Sequence, residues 1–260
     1  MPAPGRGSGP FVRGNMISTL DGAITIQGRS GAIGGNADRT VFQVLRALAD
    51  VVLVGAGTSR AERYGPARLD DALRELRRRQ GKPAVPPIAV VSRAGDLDWS
   101  APFFTEAEER PIVFASAASG ETTRRQAAAV ADFVVAGDTR IDPRIALDHL
   151  HRAGYHSILL EGGPGLNADI VNAGLLDELC LTLSPRLVAG TGPRVLAGPE
   201  LPRPLELEIV HLIEEDGFLF YRLAVPAPPS VEPAAGDVVP PSGGSAHVRA
   251  TSSKDRRRAS

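Results

Sequence analysis

Apolar residues in this chain come in short runs, and stretches of helical character separate them. Runs rich in β-branched residues lie at "VVLVG" (51–55), "PIAVVS" (87–92), "PIVFAS" (111–116), "DFVVAG" (132–137), "SILLEGG" (157–163) and "ELCLTLSP" (178–185). Helix-like stretches fill most of the gaps, at 37–48, 69–80, 120–130, 142–153 and 165–174. Continuous apolar strands alternating with helices predict a mainly parallel sheet covered on both faces. The last section differs: "LELEIVHLIEEDGFLFYRLAV" (205–225) reads as two strands around "EEDG", a hairpin signal. The expected fold is therefore α/β, with a mainly parallel central sheet, helices on both faces and an antiparallel C-terminal hairpin. In the helix at 37–48, Val41, Val44, Leu45 and Leu48 share one face at helical spacing, and Asn36 or Asp38 can cap its start. Arg39 and Arg46 lie seven apart, on one side of that helix. Arg39 reads as solvated. Arg46, at the helix end just before a strand, is a candidate functional residue.

Composition adds limits. With 260 residues, 43% of them hydrophobic, the chain can bury the core of one α/β domain or of two small ones. A formal net charge of -1 gives no overall pull towards nucleic acid or an anionic membrane. No apolar run of about 18 residues predicts a membrane span, and "MPAPGRGSGP" has no apolar core region of a secretory signal. The single cysteine, Cys180, excludes an intrachain disulfide and a zinc site built on several thiolates, and it fits a reducing, cytoplasmic compartment. Residues 1–10 are Gly/Pro-rich and read as a flexible N-terminus. Residues 11–225 form the domain, and 226–260, rich in Pro, Ala, Gly and Ser, read as a disordered tail.

In parallel sheets ligands bind beyond the carboxyl ends of strands. Three such ends carry unusual residues: "GAGTSRAERYGP" (55–66), "SRAGDLDW" (92–99) and "EGGPGLNAD" (161–169). In the third, Gly162 and Gly163 permit a sharp turn and a close ligand approach. Pro164 suits a first helical turn, whose free N–H groups can bind phosphate. A purely structural turn is an equal alternative. "GAGTSR" begins like a dinucleotide fingerprint, but Arg60 stands where the third glycine belongs, and the first strand, around "GNMISTLDG" (14–22), carries no fingerprint. Ser92 and Arg93 can hold a phosphate through a hydroxyl and a guanidinium. Glu161 ends an apolar run, where burial disfavours its charged form. It suits a proton donor or an acceptor for substrate N–H groups, or else it pairs with an arginine.

"STLDGAI" (18–24), "DRTVFQVLRALADVVLVGAGTSRAERYGP" (38–66), "VVSR" (90–93) and "LLEGGPGLNADIVNAGLLDELCLTLSPRLVAG" (159–190) together resemble the reductase domain of bacterial riboflavin biosynthesis, a member of the dihydrofolate-reductase-like superfamily. The resemblance implies a single α/β domain and a cytoplasmic homodimer. It implies an NADPH-dependent reductase that converts the ribosyl group of a ribosylaminopyrimidine phosphate to ribityl by hydride transfer to C1′. It maps the cofactor onto Gly55, Thr58, Glu62, Ser92, Arg93, Gly162, Gly163, Pro164, Gly165, Leu166 and Asn167, with Asp169 closing the loop. It maps the substrate onto Ser30, Arg46 and Glu161, places Ala32 near the cofactor, and makes Glu161 or Asp21 the proton donor. Arg46 with Arg60 or Arg68 is expected to hold the sugar phosphate. No metal is expected, and the histidines show no ligand spacing. The zinc signature of the pathway's fused deaminase is missing, so a stand-alone reductase is expected.

Two positions depart from the family pattern. Asn15 stands where many members carry lysine, and Glu62 followed by "RYGP" stands where many carry an aspartate motif. A dihydrofolate or other pteridine reductase, and a catalytically silent NADP(H)-binding protein, are therefore the alternatives.

Overall fold

A computed structural model describes residues 9–226. The expected disordered tail, except Pro226, and residues 1–8 of the expected flexible N-terminus lie outside the described residues. The elements in chain order are β1 (Phe11–Thr19), α1 (Asn36–Leu48), β2 (Val51–Gly55), α2 (Ala56–Ala61), α3 (Asp71–Arg79), β3 (Ile88–Val91), α4 (Pro102–Thr105), β4 (Ile112–Ala115), α5 (Glu121–Val130), β5 (Asp132–Val135), α6 (Pro143–Arg152), β6 (Ser157–Leu160), α7 (Pro164–Asn172), β7 (Glu178–Ser184), β8 (Glu208–Glu215) and β9 (Phe218–Ala224).

The strands form one sheet in the order β5-β4-β3-β2-β6-β1-β7-β9-β8. Pairings from β5 through β7 are parallel, and β9 is antiparallel to both β7 and β8. At the hairpin turn, Asp216 and Gly217 take φ of 55° and 78°. Two consecutive positive φ values suit the twist of a two-residue hairpin. β8 is exposed along its whole length at the sheet edge.

Consecutive residues of the central strands feed opposite layers. Val52, Val54 and Leu159 pack with Leu45 of α1, whereas Val51, Leu53, Ile158 and Leu160 pack with Leu150 of α6 and Ile170 of α7. That is why these strands are apolar without alternation. Each such side chain taken fully from water contributes roughly 1.5–3 kcal/mol.

The chain lays down β1, runs outward through β2 to β5, then returns to insert β6 between β2 and β1. The direction of winding reverses there, and the loops leaving β2 and β6 open a crevice beyond their carboxyl ends.

Helix α1 differs from expectation in two respects. Leu45, Arg46 and Ala47 are its buried residues, while Val44 and Leu48 are 38% and 39% exposed. The helix is rolled so that Arg46, rather than a full apolar stripe, faces inward. Its N-cap is Gly35, without a side-chain cap. Asp38 does not cap it; the Thr182 hydroxyl favours its charged form instead. The short helices α2 and α4 were not legible in the apolar pattern, because neither is long enough to show a period.

Candidate active site

The crevice holds a cavity of about 790 Å³, within the usual range for a small-molecule site. Its floor is the end of β6. There Glu161 is 7% exposed, and its N–H continues the sheet ladder to the Leu53 carbonyl at 2.9 Å. Arg46 reaches it from α1 and grips both carboxylate oxygens: Nε donates to Oε1 at 2.6 Å and Nη2 to Oε2 at 2.7 Å. The Tyr64 hydroxyl donates to the same Oε2 at 2.7 Å. The Arg46 guanidinium lies 4.2 Å from the Phe42 ring centroid and 5.5 Å from that of Tyr64. Asp38, Phe42 and Arg46 are spaced four apart on α1, and all three line the cavity.

Burial works against the Arg46 charge, but the facing Glu161 carboxylate outweighs it and holds the guanidinium above its usual range. Burial first, and then the Glu161 charge, push the Tyr64 phenol well above 10.0. Three donors occupy three of the carboxylate's roughly four lone-pair positions, which leaves one on Oε1 for another N–H group.

The wall above Glu161 is glycine. Gly162 has φ +90°, the left-handed region, and the Gly162–Gly163 peptide is cis. A side chain on Gly163 would begin 2.8 Å from the Thr58 hydroxyl, so only glycine fits between the β2 and β6 loops. Pro164 then starts α7, whose N-cap Gly163 offers no side chain to the first-turn amides. Asn167 fastens this helix through a 2.9 Å bond from Nδ2 to the Val195 carbonyl, and its Oδ1 is buried with no protein partner.

Most residues singled out in the sequence meet here. Ser30, Arg46, Gly55, Thr58, Glu62, Glu161 and all of 162–167 line the cavity. Ser30 and Glu62 touch each other, the Ser30 amide donating to Glu62 at 2.6 Å. Asn15, at the family's lysine position, also lines the wall.

Asp21 does not. It accepts the Thr19 hydroxyl and the amides of Val188 and Ala189, and these bonds, the hydroxyl first, hold its carboxyl down at about 2. A carboxyl so committed ties two loops together and is ill suited to deliver a proton. Ser92 and Arg93 sit beyond β3, outside the wall. Ser92 is buried and donates to Asp96, and the Arg93 carbonyl accepts from Ser116. The Ala32 carbonyl accepts from Arg186, and Asp169 is exposed on α7; neither lines the cavity. Arg60 pairs with Asp96 at 3.5 Å and Arg68 with Glu106 at 3.6 Å, so neither expected phosphate partner faces the cavity. Arg39 does line it, against the expectation of a merely solvated residue, as does Arg63.

Tyr64, Phe42 and Asp38 were not read from the sequence as site residues. The four-residue spacing from Asp38 to Arg46 carries a signal for the last two. Tyr64 had none, because a left-handed turn at Arg63, φ 52°, sends it back onto β6.

Among the described residues, no cluster of three or more His, Cys, Asp or Glu side chains could hold a metal ion, and no helix is long and apolar enough to cross a membrane.

Comparison with known proteins gives one answer. The family model described as the RibD C-terminal domain matches residues 10–216. A 2,5-diamino-6-ribosylamino-4(3H)-pyrimidinone 5′-phosphate reductase of Archaeoglobus fulgidus is 29% identical over 79% of this chain and 94% of its own. The protein of the same name from Methanothermobacter thermautotrophicus is 31% identical over 74% and 85%. A crystal structure of a pyrimidine reductase-like protein from Corynebacterium diphtheriae superposes with a TM-score of 0.76 at 25% identity, covering 83% of this chain and 92% of the other.

Proposed function

The chain belongs to the RibD C-terminal domain family, and from that premise we propose that it is an NADPH-dependent pyrimidine reductase of riboflavin biosynthesis. Its substrate in this reading is a ribosylaminopyrimidine 5′-phosphate, as in the names of the archaeal relatives. One observation carries the reading: a carboxylate fixed by Arg46 and Tyr64 lies where a glycine-walled loop adjoins a pocket of about 790 Å³.

The residues present fit a nicotinamide dinucleotide. The amides of the first turn of α7 are uncapped by side chains, and Gly57 and Gly65 face open space with nothing within 4 Å of a built Cβ. The pyrophosphate would lie at the start of α7 beside Thr58. Ser92 and Arg93, one strand further out at the end of β3, would take the adenosine end and favour NADPH over NADH. When bound, the cofactor supplies hydride.

The protein's part is orientation. The free Oε1 lone pair of Glu161 accepts an N–H of the pyrimidine, and the Arg46 pair keeps that acceptor still. Arg46 is committed to Glu161, so Arg39 and Arg63, the cavity-lining arginines with an exposed head, take the sugar phosphate. The test is a substrate panel: NADPH oxidation with the ribosylaminopyrimidine phosphate supports the reading. Preferred turnover of dihydropteridines, or cofactor binding without any turnover, overturns it.

The proposal extends to a cytoplasmic homodimer. The edge strand β8 exposes Ile209, Leu212 and Ile213 at 51–63%, an apolar edge that a second copy can cover. Light scattering that reports a monomer at working concentrations rejects this part alone.

A further inference from the structure

A reduction of carbon–nitrogen unsaturation needs a proton as well as a hydride, and neither proton source expected from the sequence suits that task. Asp21 lies outside the cavity and is held by three donors. Glu161 is held as an acceptor by three donors of its own, and its remaining Oε1 lone pair is the one assigned to a pyrimidine N–H. Glu62 is turned onto the Ser30 amide. The Tyr64 proton is already given to Glu161. The cavity wall contains one further carboxyl group, that of Asp38.

We propose that Asp38 is the catalytic acid of this site, delivering its proton to the nitrogen of the substrate's C1′–N double bond. The inference rests on the reductase reading above. Asp38 stands two turns before Arg46 on the same face of α1, with Phe42 between them, so it looks into the cavity from the side opposite the helix end. Its carboxylate lies against the backbone of Gly34, where a Cβ would come within 2.6 Å of Oδ2. The Thr182 hydroxyl, buried on β7, favours its charged form. The charged group acting on it is Arg39, next along the helix. The adjoining loop brings Gly34 and Gly35, and β9 brings the uncharged Phe218 ring against Gly35. Burial raises the Asp38 carboxyl above the usual 3.8, only partly offset by Thr182 and Arg39.

The step balances as follows. The open-chain form of the ribosylamine presents C1′=N. A hydride from the reduced nicotinamide brings two electrons to C1′, and the π pair of the double bond moves onto nitrogen. That nitrogen takes the Asp38 proton. The oxidised nicotinamide, the ribitylamine and the Asp38 carboxylate result, and water at the cavity mouth reprotonates the carboxylate.

The experiment compares wild type, D38N and D38E. Steady-state kcat is followed against pH, NADPH affinity by calorimetry, and the Asp38 carboxyl by carbon-13 NMR, assigned from its absence in D38N. In wild type, kcat falls as pH rises through the carboxyl's titration, because the acid is lost. D38N is expected to lower kcat by about 100-fold or more and to lose that limb. NADPH affinity is expected to stay within about twofold, and D38E to recover part of kcat. A D38N protein that keeps kcat and the limb overturns the inference, as does a carboxyl that titrates like an exposed aspartate, whatever the turnover. If D38N fails to fold, the D38E pH profile and the wild-type NMR titration decide. A wild type inactive on every pyrimidine rejects the reductase reading itself, and this inference with it.

Discussion

The Tyr64 hydroxyl donates to Glu161 Oε2 at 2.7 Å, on a carboxylate already gripped at both oxygens by Arg46. Y64F keeps the ring beside Arg46 and removes only this donor. A hydrogen bond to a charged group contributes about 1.5–3 kcal/mol, so the variant should be destabilised by about that amount. The loss should depend on pH with a definite sign. The phenol's folded value is raised above the 10.0 of the free group. Its contribution is therefore complete below pH 10.0 and is lost as pH rises from there towards the folded value. Thermal unfolding of both proteins across that range checks it, and a gap that widens with pH contradicts the assignment.

The buried pair itself should be strongly coupled. E161Q leaves Arg46 buried without its counter-charge, and R46Q does the reverse. Breaking a buried pair from one side costs about 3–5 kcal/mol, whereas removing both charges costs less than the sum. Urea denaturation of the two single variants and the double should show that shortfall. Kinetically, E161Q should cut kcat for the pyrimidine by far more than it weakens NADPH, since the proposed function gives Glu161 to the substrate and the glycine loop to the cofactor. Equal losses in both would move Glu161 to the cofactor.

Arg77 is fully buried, and it holds in place the helix that carries Arg46. Nη1 donates to the carbonyls of Arg46 and Ala47 at 3.3 and 3.1 Å and also to that of Ala49, while Nε donates to Pro83 at 2.7 Å. Those of Arg46 and Ala47 are among the carbonyls that α1 leaves open at its C-terminus, and Ala49 is its C-cap. R77M should therefore unfold at lower temperature by an amount matching about 2–4 kcal/mol. The folded fraction should bind substrate more weakly because Arg46 is less well placed. R77K, with one donor head instead of a fork, should recover only part. Calorimetric unfolding alongside KM measurements separates these effects, and an R77M protein with wild-type KM disproves the positioning role.

Much of this was legible beforehand because strand periodicity and glycine punctuation are local. The run "SILL" ends in Glu161 whatever its neighbours are, and Gly162 with Gly163 announces a turn within the same seven residues. Tyr64 was illegible because its role depends on a partner 97 residues away. The burial of α1 was misread for a related reason. Val44 and Leu48 share a helical face with Leu45, but the helix turns Arg46 inward to meet Glu161, and that rotation is set by a contact 115 residues distant. Asp21 looked catalytic because its loop borders the site, yet its bonds to Val188 and Ala189 come from a segment without periodicity.

Gly165 offers a way to separate the stability of the loop from its use. It lines the cavity on the first turn of α7, and a Cβ there would meet only the Ala197 carbonyl at 4.0 Å. Its φ is not in the left-handed region, so alanine fits the backbone. In a helix alanine is favoured over glycine by up to about 1 kcal/mol, so G165A should unfold no earlier than wild type. The new methyl, however, stands beside first-turn amides proposed to receive the pyrophosphate, and a group of that size blocks close approach of a phosphate. NADPH affinity should fall by about tenfold or more, which corresponds to about 1.4 kcal/mol. Calorimetric titration with NADPH and a thermal melt on the same sample test both halves. An unchanged dissociation constant in a protein of undiminished stability would place the cofactor's phosphates elsewhere in the crevice.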